Sequence, residues 1–194
     1  MRKLLLIAIP MVVIACSKPN DSVSKPAATS APATPSMTST PAPAPATTGA
    51  QAVLGATAGN KAEGTLSIAL ESDGLRIRGD LSGLDPASEH GFHVHENGDC
   101  SAPDASSAGG HFNPQGKQHG KPGSDQHHAG DMFNIMADAQ GLAKVDSLVT
   151  GVVLGGGGDI DVLGKAIVLH KKADDYMTQP SGDSGDRIAC GVIR

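Results

Sequence analysis

His93 and His95 stand two residues apart in Gly91-Phe92-His93-Val94-His95-Glu96. On a β-strand, positions two apart share a face, so the two imidazoles lie side by side as a chelating pair. A second group follows, His111, His119, His127, His128 and Asp131, within 21 residues of Gly- and Pro-containing loop. Imidazole with one carboxylate suits zinc, and imidazole alone suits copper. Spacing leaves His127 and His128 equivalent. His170 ends the apolar run Ala166-Ile167-Val168-Leu169 and is the last histidine of the chain.

The elements that must position these groups read as β-strands. Leu66, Ile68 and Leu70 alternate with polar or small residues, Ser72-Asp73-Gly74 interrupts, and Leu75, Ile77 and Leu81 resume a period of 2. That pattern predicts a β-hairpin. A second hairpin is expected from Met132–Asp138 and Leu142–Leu148 around a turn at Ala139-Gln140-Gly141. Short strands are expected at 91–96, 165–170 and 187–193. No segment of ten residues carries a helical stripe. Short strands and Gly-rich turns predict an all-β antiparallel sandwich or barrel. Two long non-periodic stretches remain, 97–130 and 171–186, and loops of that length in a compact domain usually serve function. The Gly155-Gly156-Gly157-Gly158 run is a third loop, with no chemistry of its own.

Composition separates the chain into two materials. All 25 Gly lie at or after Gly49, whereas eight of the 13 Pro precede residue 50. Residues 51–194 are enough for one core. Only four aromatics occur, Phe92, Phe112, Phe133 and Tyr176, which excludes a stacking platform for single-stranded nucleic acid. The formal charge is −5 with no dense Lys/Arg block, so no phosphate-binding footprint is present and no nucleic-acid partner is expected.

Residues 1–15 read as a secretory signal: Arg2 and Lys3 precede a short apolar run that ends at Ala15. Val13-Ile14-Ala15-Cys16 resembles the lipobox of bacterial lipoproteins, which implies cleavage before Cys16 and its lipidation. Ser17 after the cysteine, by resemblance to lipoprotein sorting, implies an outer-membrane anchor. Loss of residues 1–15 leaves 13 basic against 20 acidic residues, a charge of −7. Residues 16–50 carry the anchor and a spacer of Pro, Ala, Ser and Thr with no core of its own.

The histidine segments also resemble a known family, the copper-zinc superoxide dismutases. Gly91–Cys100 resembles its copper-binding strand. Gly109-Gly110-His111-Phe112-Asn113-Pro114 resembles the start of its zinc loop, and His119 with His128-Ala129-Gly130-Asp131 keeps its ligand spacing. Val168–Asp175 resembles its last copper-ligand segment, and Arg187–Ile193 its C-terminal strand. The likeness spans roughly 51–194 and looks like the bacterial branch, because Met177–Asp186 is short and lacks Lys.

The resemblance implies an eight-stranded Greek-key sandwich or flattened barrel, immunoglobulin-like in layout. It implies one copper held by His93, His95, His111 and His170. It implies one zinc held by His111, His119, His128 and Asp131, with His111 shared. Asp174 is then the carboxylate linking ligands of the two metals, Arg187 the anion-binding residue, and Cys100–Cys190 a disulfide. His90 and His127 are left without a role. The implied reaction converts two superoxide anions to dioxygen and hydrogen peroxide, with copper as the redox element and His111 passing a proton to the peroxide. Steering of an anion toward a chain of charge −7 needs local cations. Besides Arg187 the candidates are Lys117, Lys121, Lys171 and Lys172. The expected setting is the periplasm or cell envelope, as a monomer or homodimer. A non-catalytic envelope protein that sequesters or delivers copper or zinc would need the ligands but neither Arg187 nor a bridging histidine.

Overall fold

Period-two burial runs along the three longest strands. β1 (Gly49–Ala56) buries Ala52 and Leu54, β2 (Glu63–Glu71) buries Leu66 and Ile68, and β3 (Gly74–Ser82) buries Leu75, Ile77 and Leu81. Each strand turns one face inward, and the opposite face is polar or small apart from the exposed Val53 of β1. Six further strands follow: β4 (Glu89–His90), β5 (Phe92–His95), β6 (Ile135–Met136), β7 (Ala143–Val149), β8 (Ala166–His170) and β9 (Arg187–Val192). The computed structural model describes residues 49–194. The secretory segment, Cys16 and nearly all of the spacer lie outside the described residues.

Seven strands form one antiparallel sheet in the order β5-β8-β9-β1-β2-β3-β7, and β4 pairs with β6 beside it. The sheet curls into an all-β Greek-key barrel. β1 makes the corner. Its residues 49–54 pair with β2, and Gly55 and Ala56 pair with β9. Gln51 and Arg194 close the corner with reciprocal main-chain bonds of 2.8 and 2.9 Å.

The first expected hairpin is observed as β2–β3, in register from Glu63↔Ser82 to Glu71↔Gly74. Leu70 departs from the alternation, being 61% exposed near the hairpin end. The second expected hairpin is corrected. The turn exists, with Asp138 and Leu142 bonded at 2.8 Å, but its arms separate. β7 adds to β3, while the two-residue β6 pairs with β4. Two partners with open edges compete for these arms, and local alternation cannot report that. β1 was not foreseen, since Ala50-Gln51-Ala52 continues the Ala-rich composition of the spacer. The strands expected at 91–96, 165–170 and 187–193 are β5, β8 and β9.

β8 is buried on both faces, which explains its unbroken apolar sequence. Ile167 and Leu169 enter the main core with Phe92, Val94 and Phe112. Ala166 and Val168 face outward, under Ala105, Ala108 and Cys190. Cys190 is disulfide-bonded to Cys100 across 90 positions. Closing so long a loop removes about 4–5 kcal/mol of unfolded-state entropy on the chain-entropy model.

Candidate metal centre

β5 and β8 lie in register as Phe92↔Leu169, His93↔Val168, Val94↔Ile167 and His95↔Ala166. Phe92 and Val94 therefore point into the core, and His93 and His95 point out. One more alternation along β8 brings His170 to the outward face. A register shift between Leu169 and His170 lets the His170 N–H bond Gly91 O at 2.9 Å. The loop after β5 then folds back over this face. Glu96 N–H bonds Gly110 O and Phe112 N–H bonds Val94 O, so His111 forms a bridge with His95. Asp131 bridges His93 in the same way. Gly130 permits this approach, because a Cβ there would lie 2.3 Å from Val94 O. That close approach is what Gly130 contributes to the segment His128-Ala129-Gly130-Asp131.

Two four-residue groups result: His93, His95, His111 and His170; and His111, His119, His128 and Asp131. Within each group the potential ligand atoms lie within 4.8 Å of one another, and every residue is buried. In the first group, hydrogen bonds fix the ring tautomers. His95 Nδ1 bonds Gly109 O at 3.0 Å and His170 Nδ1 bonds Gly185 O at 3.2 Å. A carbonyl only accepts, so both protons sit on Nδ1, and the two Nε2 lone pairs face each other at 3.3 Å. His93 Nε2 bonds Asp174 Oδ2 at 2.8 Å, leaving its buried Nδ1 without a partner. His111 Nε2 is likewise buried and unpartnered.

In the second group three nitrogens crowd one oxygen. The Nδ1 atoms of His111, His119 and His128 lie 2.8, 3.0 and 3.3 Å from Asp131 Oδ1. Only His111 has hydrogen-bond alignment there; Nδ1 of His119 and of His128 are buried without a partner. A buried orphan polar atom costs about 1–3 kcal/mol. Such convergent donors suit a cation, and His111 offers one ring nitrogen to each group.

Asp174 connects the groups. Its Oδ2 takes His93 Nε2, and its Oδ1 takes His119 Nε2 at 2.9 Å. Asp131 Oδ2 accepts the N–H of His128 at 2.8 Å and of Gly120 at 3.2 Å. Burial alone would raise both carboxyls, but the hydrogen bonds outweigh it and hold both well below the usual carboxylate range. Burial pushes the imidazoles of His93 and His95 down, His111 to about 4 and His170 to about 3. His119 is the exception. Burial lowers it, but its contacts with Asp131 and Asp174 prevail and raise it to about 9. At neutral pH, anionic carboxylates thus face mostly neutral imidazoles, the state that binds metal.

Arg187 is half-buried beside the first group. Its Nη1 donates to Ala105 O and its Nη2 to Gly109 O, both at 2.6 Å. Gly109 O therefore serves Arg187 and His95 together. Burial lowers the guanidinium, against the attraction of Asp104, but it stays cationic. Of the lysines, Lys172 lies 3.4 Å from Asp183, while Lys121 Nζ stands 6.0 Å from the Phe133 ring centroid. Lys117 and Lys171 are exposed.

All seven sequence-selected ligands, with Asp174, thus converge in space. His127 stays out and bonds His128 O through Nδ1. His90 sits behind the first group, with Nδ1 donating to His170 O at 2.7 Å and Nε2 2.6 Å from Ser88 Oγ. Sequence reasoning missed two amides. Asn134 pairs with both main-chain groups of Asp174, at 2.9 Å each. Gln179 pairs in the same way with His119. Neither has a sequence signal, because an amide in a loop is usually only solvated.

A Greek-key β-barrel carrying a shared-histidine pair of metal-ligand groups defines a class of dinuclear metalloprotein. Within that class the chain belongs to the copper/zinc superoxide dismutase (SODC) family, whose family model matches residues 62–193. The family's cofactors are copper and zinc, and the donor sets above fit them. The chain is 44% identical over 126 residues to superoxide dismutase (Cu-Zn) 2 of Aquifex aeolicus, covering 63% of this chain and 74% of that protein. It is 42% identical over 153 residues to a Cu-Zn superoxide dismutase of Candida glabrata, covering 74% and 96%. A solved double mutant of a SOD-like protein from Bacillus subtilis superposes with a TM-score of 0.67 at 41% identity, covering 73% of this chain and 94% of that one.

Proposed function

We propose that the two groups divide the labour of superoxide dismutation, the family's reaction, in which two superoxide anions become dioxygen and hydrogen peroxide. His93, His95, His111 and His170 hold copper; His111, His119, His128 and Asp131 hold zinc. Bound copper supplies the one-electron redox chemistry, and zinc, with a single oxidation state, supplies fixed positive charge. The residues do the rest. Gly109 O and Gly185 O keep His95 and His170 in the tautomers that present Nε2. His111 Nε2 faces the copper group and would serve there in turn as ligand and as proton carrier, taking a proton from solvent when it is not a ligand and passing it to the outgoing peroxide, while Nδ1 stays on the zinc side. Asp174 keeps His93 and His119 aimed at their separate groups. Arg187, fixed by two carbonyls, retains free N–H groups to hold a small anion beside the copper group.

The single observation that carries this reading is the set of buried, unpartnered nitrogens of His93, His111, His119 and His128. A lipid anchor at Cys16 and a periplasmic face of the outer membrane would place the activity against superoxide reaching the envelope from outside. The signal-like sequence of residues 1–16 supports that location. The test loads the purified domain with copper and zinc, then measures metal content and superoxide decay. One copper and one zinc with fast decay are expected; bound metals without decay would leave a metal-storage protein. Globomycin sensitivity and intact mass of the exported protein test the anchor: processing at Ala15 without a lipid mass on Cys16 would remove it.

A further inference from the structure

The segment after β8 holds His119 at more than its ring. Asp174 takes Nε2, and five residues later the side-chain amide of Gln179 pairs with the main chain of His119. Gln179 Oε1 accepts the His119 N–H, and its Nε2 donates to the His119 carbonyl, both at 2.9 Å. A primary amide offers an acceptor and a donor side by side, which an ionised carboxylate does not. A further bond of 3.2 Å from Nε2 to Met177 O orients the amide plane. Among the described residues, Gln179 provides the only hydrogen bonds to the main chain of His119.

The segment that presents Gln179 is built from within. Asp175 Oδ1 accepts the N–H groups of Met177 and Thr178, each at 2.8 Å, and Gly182 N–H bonds Thr178 O at 2.6 Å. Gly182 then lies directly over the Asp174–His119 hydrogen bond. A Cβ there would come 1.8 Å from Asp174 Oδ1 and 2.8 Å from His119 Nε2. Gln179 is itself exposed, so the burial of its stem adds little. Its contribution rests on the paired bonds.

We propose that Gln179 is a positioning residue for zinc: its amide clamps the His119 peptide so that Nδ1 stays aimed at Asp131. The inference rests on the assignment of His119 as a zinc ligand. It predicts that the short, lysine-free loop sets zinc affinity through a neutral side chain.

The test uses the copper- and zinc-loaded protein with two variants. Gln179→Met keeps length and removes both bonds, and Gln179→Glu keeps only the acceptor. Zinc affinity is read by competition with a chromophoric chelator, and zinc-site geometry by the visible bands of cobalt placed there. Gln179→Met should weaken zinc by about 10–100-fold, the usual effect of losing a support behind a ligand. Gln179→Glu should fall between it and the parent. Both should shift the cobalt bands and lower the Tm of the loaded protein by more than that of the metal-depleted protein. Parental affinity and bands in both variants, or equal Tm losses with and without metals, would overturn the proposal. If Gln179→Met does not fold, Gln179→Glu decides alone. His119→Ala separates the two levels. Should it bind zinc like the parent, the ligand assignment fails; should it lose zinc while the Gln179 variants keep theirs, only the clamp fails.

Discussion

In the part of the barrel formed by β1, β2, β3 and β7, ladders run unbroken and the buried face is aliphatic, from Leu66 and Ile68 to Ile77, Val145 and Val149. The loops over β5 and β8 are built differently. With the facing side chains of those two strands they bury six histidines and two aspartates as metal-ligand candidates and their support, joined partly through side chain–main chain bonds and ending in four unpartnered nitrogens. The sheet needs nothing further to be satisfied. The loops are complete only with cations, so stability should divide along the same line.

Metal removal tests that division with the largest expected effect. Dismutation should vanish, since no side chain here supplies one-electron redox chemistry. Hydrogen exchange should accelerate in 105–134 and 171–186, where ligand bonds disappear, while amides of β2, β3 and β7 keep their protection. Uniform acceleration across the barrel would break the contrast.

Arg187→Ala comes next, because Arg187 belongs to the loop chemistry without being a metal ligand. Losing one preorganised cationic donor should lower the dismutation rate constant by about 100-fold. Its salt dependence should weaken, because a steering charge is gone. Both metals should remain bound, since Gly109 O still orients His95. Unchanged kinetics would remove Arg187 from the mechanism.

The same line separates what the sequence disclosed from what it concealed. The His93–His95 pair was legible because the strand period puts both on one face; the two full ligand sets came only from the family resemblance. The β2–β3 hairpin was legible from the same period. The arms of the second hairpin were not, since partner choice depends on which sheet edges are open. The amides of Asn134 and Gln179 were not either. Their role lies in the peptide groups of Asp174 and His119, which are distant in sequence from them. Spacing also could not separate His127 from His128; the resemblance selected His128, and the structure buries that residue beside Asp131.

Glycines sharpen the comparison at a smaller scale. Gly182→Ala should cost about 1–3 kcal/mol for a side chain at φ +66 alone. The added Cβ also intrudes on the Asp174–His119 bond, so zinc should be released faster than from the parent. Equal zinc retention would mean that the loop yields without disturbing the ligand.

Gly156→Ala should have the smallest effect, and of opposite sign. The Gly155–Gly158 loop is also rich in glycine, but its shape is held by Asp161, whose carboxylate accepts the N–H groups of Gly155, Gly157 and Leu163. A Cβ at Gly156 would meet only Val153 Cγ2, at an ordinary 3.7 Å. The substitution removes freedom mainly from the unfolded chain, so the urea midpoint should rise by the equivalent of about 0.4–1 kcal/mol. Zinc content and dismutation should not change. A loss of zinc in this variant would link a loop that contributes no ligand to the metal centre, and the sheet-and-loop division would have to be redrawn around it.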